Sequence, residues 1–270
     1  MPKVSVLLFL LFFIGSVFAQ GPISGFMQKD GVTDFAIAYS SEQYSSYFFG
    51  KEEQFIDNQL SAVSLFIEHS VHDSFSIVAT VPYIRIDEVN KGIQDGILAI
   101  KYRNQYKRGQ SSSVSLITSV GMSFPMSGYS KDSDNPIGAR TASFQGRFLI
   151  QHQFDFGFFY QVQTGIDFRL IPNALTSLPV LFRFGYGASK FYFDGWLEIY
   201  RSFNAGVDET LQGGSGSSWV KIGGTFFYPI TSNIGSFVGI AQFLSAENVG
   251  LSTRWNAGLT YKLRPRKKKN

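Results

Sequence analysis

The sequence predicts an all-β protein, a transmembrane antiparallel up-and-down β-barrel of about twelve strands. Three observations predict it. After residue 30 the chain falls into runs that alternate apolar and polar residues. Short and long connections between those runs take turns. Charges sort to one face of each run. Composition agrees: of 270 residues, 16% are aromatic, 28 of them Phe, only 16% are charged, and Cys is absent. Without Cys there is no disulfide scaffold, no Cys-ligated zinc and no thiol catalysis. The aromatic content excludes a disordered chain.

Residues 1–19 read as a cleaved secretory signal. Lys3 precedes an apolar run from Val4 to Ile14, and small Val17 and Ala19 stand at the −3 and −1 positions before Gln20. The run is shorter than the roughly 18–20 apolar residues of a spanning helix. Residues 20–263 form the expected barrel, and 264–270 a basic periplasmic tail. The formal charge of +4 is misleading. Without Lys3 and the tail residues Arg264, Arg266, Lys267, Lys268 and Lys269, 18 basic side chains stand against 20 acidic ones. A nucleic-acid binder spreads its basic surface over the fold, so no nucleic-acid partner is expected.

Twelve strand segments follow, near 33–47, 55–69, 74–86, 93–106, 112–125, 141–154, 156–170, 178–189, 191–203, 218–229, 234–245 and 251–263. The clearest is 156–170. Phe156, Phe158, Tyr160, Val162, Thr164, Ile166, Phe168 and Leu170 make one face, and Gly157, Phe159, Gln161, Gln163, Gly165, Asp167 and Arg169 the other. On a helix the same apolar residues would point all round. The connections at Ser70–Asp73, Lys107–Ser111, Asp155, Lys190 and Ile230–Asn233 are short. Segments 1–2, 5–6, 7–8 and 9–10 are expected to join through longer stretches, such as Met126–Arg140 and Asn204–Ser217. Short turns at one end and long loops at the other are the pattern of an outer-membrane barrel, with both termini in the periplasm.

The more apolar face of each segment is expected to meet lipid, because a Lys or Arg at mid-bilayer on that face costs roughly 2–4 kcal/mol. Outward Tyr102, Tyr186, Tyr228, Tyr261, Phe75, Phe156 and Phe191 would form an aromatic girdle at headgroup depth. The opposite face then lines a lumen wider than one that side chains simply fill. The expected lining is Lys101, Arg103, Arg147, Arg169, Arg183, Arg201, Lys221, Arg254 and Lys262 against Glu68, Asp95, Asp167, Asp194 and Glu198. Nine basic against five acidic residues imply a weak preference for anions, unless the charges pair across strands and only stiffen the wall.

From Glu68 a strand runs through the turn His72-Asp73-Ser74 into Phe75–Tyr83, which ends Pro82-Tyr83. Gly92-Ile93-Gln94-Asp95-Gly96 and Lys101-Tyr102 follow. This stretch resembles the outer-membrane family labelled meta-pathway phenol degradation, whose members read Pro-Tyr, a loop, then Gly-x-Gly-Asp and Lys-Tyr. Here Gln94 and Ala99 replace two of its glycines. The resemblance covers roughly 30–105 in motif. It implies a porin-like transporter of small, including aromatic, solutes. The family's label is not an activity, and no phenol chemistry is carried over.

No catalytic residues, metal site or cofactor are expected. His72-Asp73-Ser74 resembles the His and Ser order of outer-membrane phospholipase A, but base, nucleophile and orienter must converge, and here they sit in a short turn. His69 and His72 lack further ligands. Asp132-Ser133-Asp134-Asn135 lacks the rest of a calcium loop. Gly213-Gly214-Ser215-Gly216 is not followed by Lys-Ser/Thr, so it is no phosphate loop. The expected protein is a monomeric outer-membrane channel for small solutes, surrounded by lipid. The alternatives are a non-conducting barrel, adhesin or envelope-assembly component, and a lipid-acting barrel enzyme.

Overall fold

The computed structural model describes residues 23–131, 136–171, 173–208, 211 and 214–265. The expected signal, most of the basic tail and Asp132–Asn135 lie outside the described residues. The strands are β1 (Thr33–Phe49), β2 (Glu52–His72), β3 (Phe75–Arg85), β4 (Lys91–Ile93), β5 (Asp95–Arg108), β6 (Ser112–Pro125), β7 (Ala142–Phe154), β8 (Phe158–Ile171), β9 (Leu175–Gly187), β10 (Tyr192–Phe203), β11 (Ser218–Pro229), β12 (Ile234–Glu247), β13 (Val249–Gly250) and β14 (Thr253–Leu263). β4 runs into β5 across Gln94, and β13 into β14 across Leu251 and Ser252, so the wall has twelve strands.

Each strand pairs antiparallel with its chain neighbours. β1 also pairs with β14, from Thr33↔Leu263 to Gln43↔Thr253, so the described sheet closes on itself without a free edge. β1 begins and β14 ends at the end with the tight turns. At the other end only 126–141 and 204–217 are long connections. Two expected loops are absent. β1 and β2 extend past the predicted limits and meet at Gly50-Lys51, with Gly50 at φ 61° supplying the reversal; β8 and β9 are joined by residues 172–174 alone. Long paired arms here satisfy backbone groups that the composition had pointed to as loop.

The outer face is an apolar band. Phe184 is 59% exposed and Val120 61%, with Ile100, Phe144, Ile166, Phe193, Ile222 and Leu259 also uncovered. Tyr102, Tyr228, Tyr261 and Phe156 stand exposed toward the turn end, and Phe191 packs against Tyr186, 6.0 Å between ring centroids. Alternation breaks where bulges insert a residue, between Gln43 and Tyr47 in β1 against β13 and β14, and opposite Val220/Lys221 in β12. Each bulge exchanges the two faces.

Several inner rings lie along the wall over glycines of the neighbouring strand. Trp196 is paired with Gly223, and Phe237 with Gly258. A Cβ at Gly223 would stand 2.2 Å from Trp196 Cζ2 and 2.6 Å from Ile240 O; one at Gly258 would stand 2.4 Å from Phe237 Cζ and 2.3 Å from Ile37 O. Glycine there lets a ring lie flat and leaves the bore open. Gly223→Val is therefore expected to lower the stability of the folded barrel by roughly 1–3 kcal/mol. Gly128→Ala, with nothing within 4 Å of the new Cβ, is expected to be neutral. Urea unfolding in detergent compares the two, and equal midpoints would contradict this packing.

Candidate functional site

Strand register places the expected charges. Glu68, Asp95, Lys101, Arg103, Arg147, Asp167, Arg169, Arg183, Asp194, Glu198, Lys221, Arg254 and Lys262 fall on the inner face. Arg201 does not. β10 alternates without a bulge from Asp194 to Ser202, so Arg201 stands opposite Leu178 on the outer face, near the loop end, where a long side chain reaches water. Two inner carboxylates escaped the sequence reading, Asp34 and Glu42 on β1. With these corrections eight basic groups face seven acidic ones.

These charges are largely paired. Lys101 Nζ lies 2.6 Å from Glu68 Oε1, Arg147 Nη1 2.6 Å from Asp167 Oδ1, Lys221 Nζ 2.8 Å from Glu198 Oε2 and Arg183 Nε 3.6 Å from Asp194 Oδ2. Arg254 pairs with Glu42, and Lys262 Nζ lies 3.8 Å from Asp34 Oδ1. Three of these pairs, Lys221 with Glu198, Arg254 with Glu42 and Lys262 with Asp34, are directly opposite in register. Arg103 and Arg169 donate instead to backbone oxygens of Asp73, and of Asn173 and Gly214.

The lumen is not empty. Before β1, residues 23–32 turn back into it, with Gly31 at φ 72° making the reversal and Gly31 N donating to Ser70 O at 2.8 Å. Ile23 packs into an inner apolar patch of Val78, Ala99, Ile117 and Leu149, joined by Met27 and Phe66. That patch comes from four strands, β3, β5, β6 and β7, and is unusual on the wet side of a barrel. Burial of its side chains against the segment explains it. Polar contacts finish the seat. Gly25 N donates to Gln161 Oε1 (3.0 Å), Lys101 Nζ to Phe26 O (2.8 Å) and Lys262 Nζ to Gln28 Oε1 (3.0 Å). Phe26 meets Phe159 edge-on at 5.1 Å.

Cavities remain among the described residues. One of about 690 Å³ lies beside the plug toward the turn end, lined by Phe26, Asp34, Phe66, Phe227, Phe237, Arg254 and Lys262 among others. One of about 300 Å³ faces the loop end, lined by Asp95, Asp167, Arg169, Tyr200 and Trp219. The long loops are fastened around the second. Tyr129 donates to Asp95 Oδ1 at 2.7 Å, and Thr141 N and Oγ1 donate to Oδ2 at 2.9 and 2.8 Å, so Asp95 anchors 126–141. Burial and the Asp95 carboxylate hold the Tyr129 phenol above its ordinary pKa. Gln94 supports the same loop, donating from Nε2 to Ile137 O, while its N donates to Pro82 O. The Pro-Tyr and Gly-x-x-Asp motifs thus meet at one loop anchor. Asn248, fully buried, ties the rest. Its Oδ1 accepts from Gly50 N and Asp208 N, and its Nδ2 donates to Gly206 O and Gly216 O.

The remaining candidates serve the turns. Ser74 N donates to His72 Nδ1, Asp30 N donates to Asp73 Oδ1, and His69 Nδ1 bonds Thr33 Oγ1. Among the described residues no group of three or more His, Asp or Glu is placed to hold a metal.

The Lys101–Glu68 pair is almost wholly shielded, with side chains 0% and 7% exposed. Lys101→Met strands the carboxylate and removes the bond to the plug. The expected loss is roughly 3–5 kcal/mol of barrel stability. Adding Glu68→Leu is expected to restore most of it. A single variant as stable as the parent in urea would contradict the pairing.

No family model matches the chain, and no curated protein matches it in sequence. Solved structures do match in fold. The COG4313 outer membrane channel from Pseudomonas putida F1 superposes with a TM-score of 0.71 at 12% identity, over 90% of this chain and 100% of that one. NanC porin gives 0.54 at 9% identity over 85% and 100%, and KdgM porin 0.52 at 10% identity over 85% and 99%. The chain has the closed antiparallel barrel fold that outer-membrane channels and porins share.

Proposed function

We propose that this protein is an outer-membrane channel for small solutes, narrowed by its own N-terminal segment. The observation that carries the reading is the contrast between an uncovered apolar outer wall and a charged, polar lumen holding a cavity of about 690 Å³. A band of exposed Ile, Val and Phe fits a hydrocarbon surround, and the aromatic positions fit its headgroup boundary. The short turns, the start of β1 and the end of β14 then face the periplasm. The expected cleavage before Gln20 leaves the plug at the start of the mature chain. The barrel closes within one chain and acts as a monomer. The fold of the similar channels and the motif resemblance to the phenol-degradation family both support transport of small solutes.

The near balance of inner charges, and their pairing, replaces the anion preference with weak selectivity. The alternative, a non-conducting partner-binding barrel, leaves the inner charge pairs as stiffening only. Planar-bilayer recording of the refolded protein separates the two. The expected result is a small conductance with nearly equal anion and cation permeability. Deleting residues 23–28 is expected to raise it several-fold, because the plug fills the side of the lumen under β3, β5, β6 and β7. If intact and shortened proteins were both silent, the channel reading would fail.

A further inference from the structure

The two cavities share no lining residue. Between them, on β9 to β12, lies a belt of inner side chains that lines neither: Leu181, Trp196, Glu198, Lys221, Ala241 and Phe243. Leu181, Trp196 and Ala241 pack as one apolar cluster, with Trp196 only 1% exposed. Lys221 reaches across it. Its Nζ lies 5.8 Å from the Trp196 ring centroid, 5.5 Å from that of Trp219 and 5.1 Å from that of Phe243, and 2.8 Å from Glu198 Oε2. Trp219 is itself fixed, stacked on Tyr200 at 4.1 Å and 6°.

We propose that Lys221 is the gate and the selectivity-setting residue of the lumen, admitting small solutes that carry hydrogen-bond acceptors; this rests on the channel reading above. Three features single it out. It occupies the stretch of β11 between the cavities, Trp219 above and Thr225 below belonging to one cavity each. It is the belt's longest flexible side chain, an ammonium on a four-carbon stem. Trp196 is held over Gly223, where there is no side chain to displace it. The contacts on Lys221 are one ion pair and three cation–π contacts, and at 14% and 23% exposure the Lys221–Glu198 pair is more open than Lys101–Glu68 at 0% and 7%. The belt and its border toward the loop-end cavity also carry unmet donors. Trp196 Nε1 and Trp219 Nε1 are buried without a hydrogen-bond partner among the described residues. A buried donor gains by meeting an acceptor, and a solute bearing carbonyl, hydroxyl or carboxylate oxygen supplies one.

Single-channel recording in planar bilayers with potassium chloride gradients tests this on the intact mature chain and three variants, each checked for folding by its heat-dependent gel mobility. Lys221→Ala is expected to raise conductance by roughly twofold or more. Lys221→Met keeps the bulk, removes the charge and is expected to shift the reversal potential toward cations. Glu198→Gln is expected to shift it toward anions. Parental conductance in Lys221→Ala, or parental reversal potentials in the two charge variants, would overturn the assignment while leaving the channel reading in place. Silence of the parent with conduction by Lys221→Ala would support the gate directly. Silence of parent, all variants and the plug-deleted chain would overturn both.

Discussion

The closure between β1 and β14 is the constraint on which the rest depends. A sheet surrounded by hydrocarbon cannot leave N–H and C=O groups on an open edge. Eleven consecutive residue pairs, from Thr33↔Leu263 to Gln43↔Thr253, join the first strand to the last. Closure fixes which face is outside, and the period-two pattern then sends large apolar residues outward and charges inward. The same closure creates an interior that must be furnished. Flat rings over Gly223 and Gly258, paired charges and an inserted segment furnish it without filling it.

The interior follows a second rule, that charges removed from bulk water find partners. Lys101 is the extreme case, shielded completely and answered by Glu68 and by the carbonyl of Phe26. One side chain therefore joins wall stability to the position of the plug. Across the lumen the pair of Lys221 with Glu198 is more open to water. The bore is rigid on the plug side and adjustable on the other. A solute route along β10 to β12 and β14 fits that asymmetry.

The strands were legible because a half-buried sheet writes its two faces alternately into the chain, as in 156–170. Bulges hid the rest. The inserted residues near Tyr44 and in β12 exchange inner and outer positions, so a single parity could not be carried along those strands. Asp34 and Glu42 were missed because the inner face of β1 is built of Ala36, Ala38 and Ser40 while its outer face carries Ser41 and Gln43, giving little contrast. Arg201 was misplaced by following its charge rather than its parity. The plug left no periodic trace, since its seat is assembled from Val78, Ala99, Ile117 and Leu149, far apart in sequence. Those four inward apolar residues were the available clue, because a wetted wall has no reason to carry them. The Pro82 and Gln94-Asp95 motifs were visible, but their role as loop anchor needed the fold.

The chain has no native Cys, so closure can be tested directly in outer membranes by paired cysteines. Ala36 and Thr260 are opposite in the β1–β14 register, both on the inner face. Ala36→Cys with Thr260→Cys should oxidise to a cross-link that alters gel mobility, while Ala36→Cys with Tyr261→Cys, one residue out of register, should not. No cross-link in the first pair, or an equal one in the second, would contradict a closed barrel with this inner face.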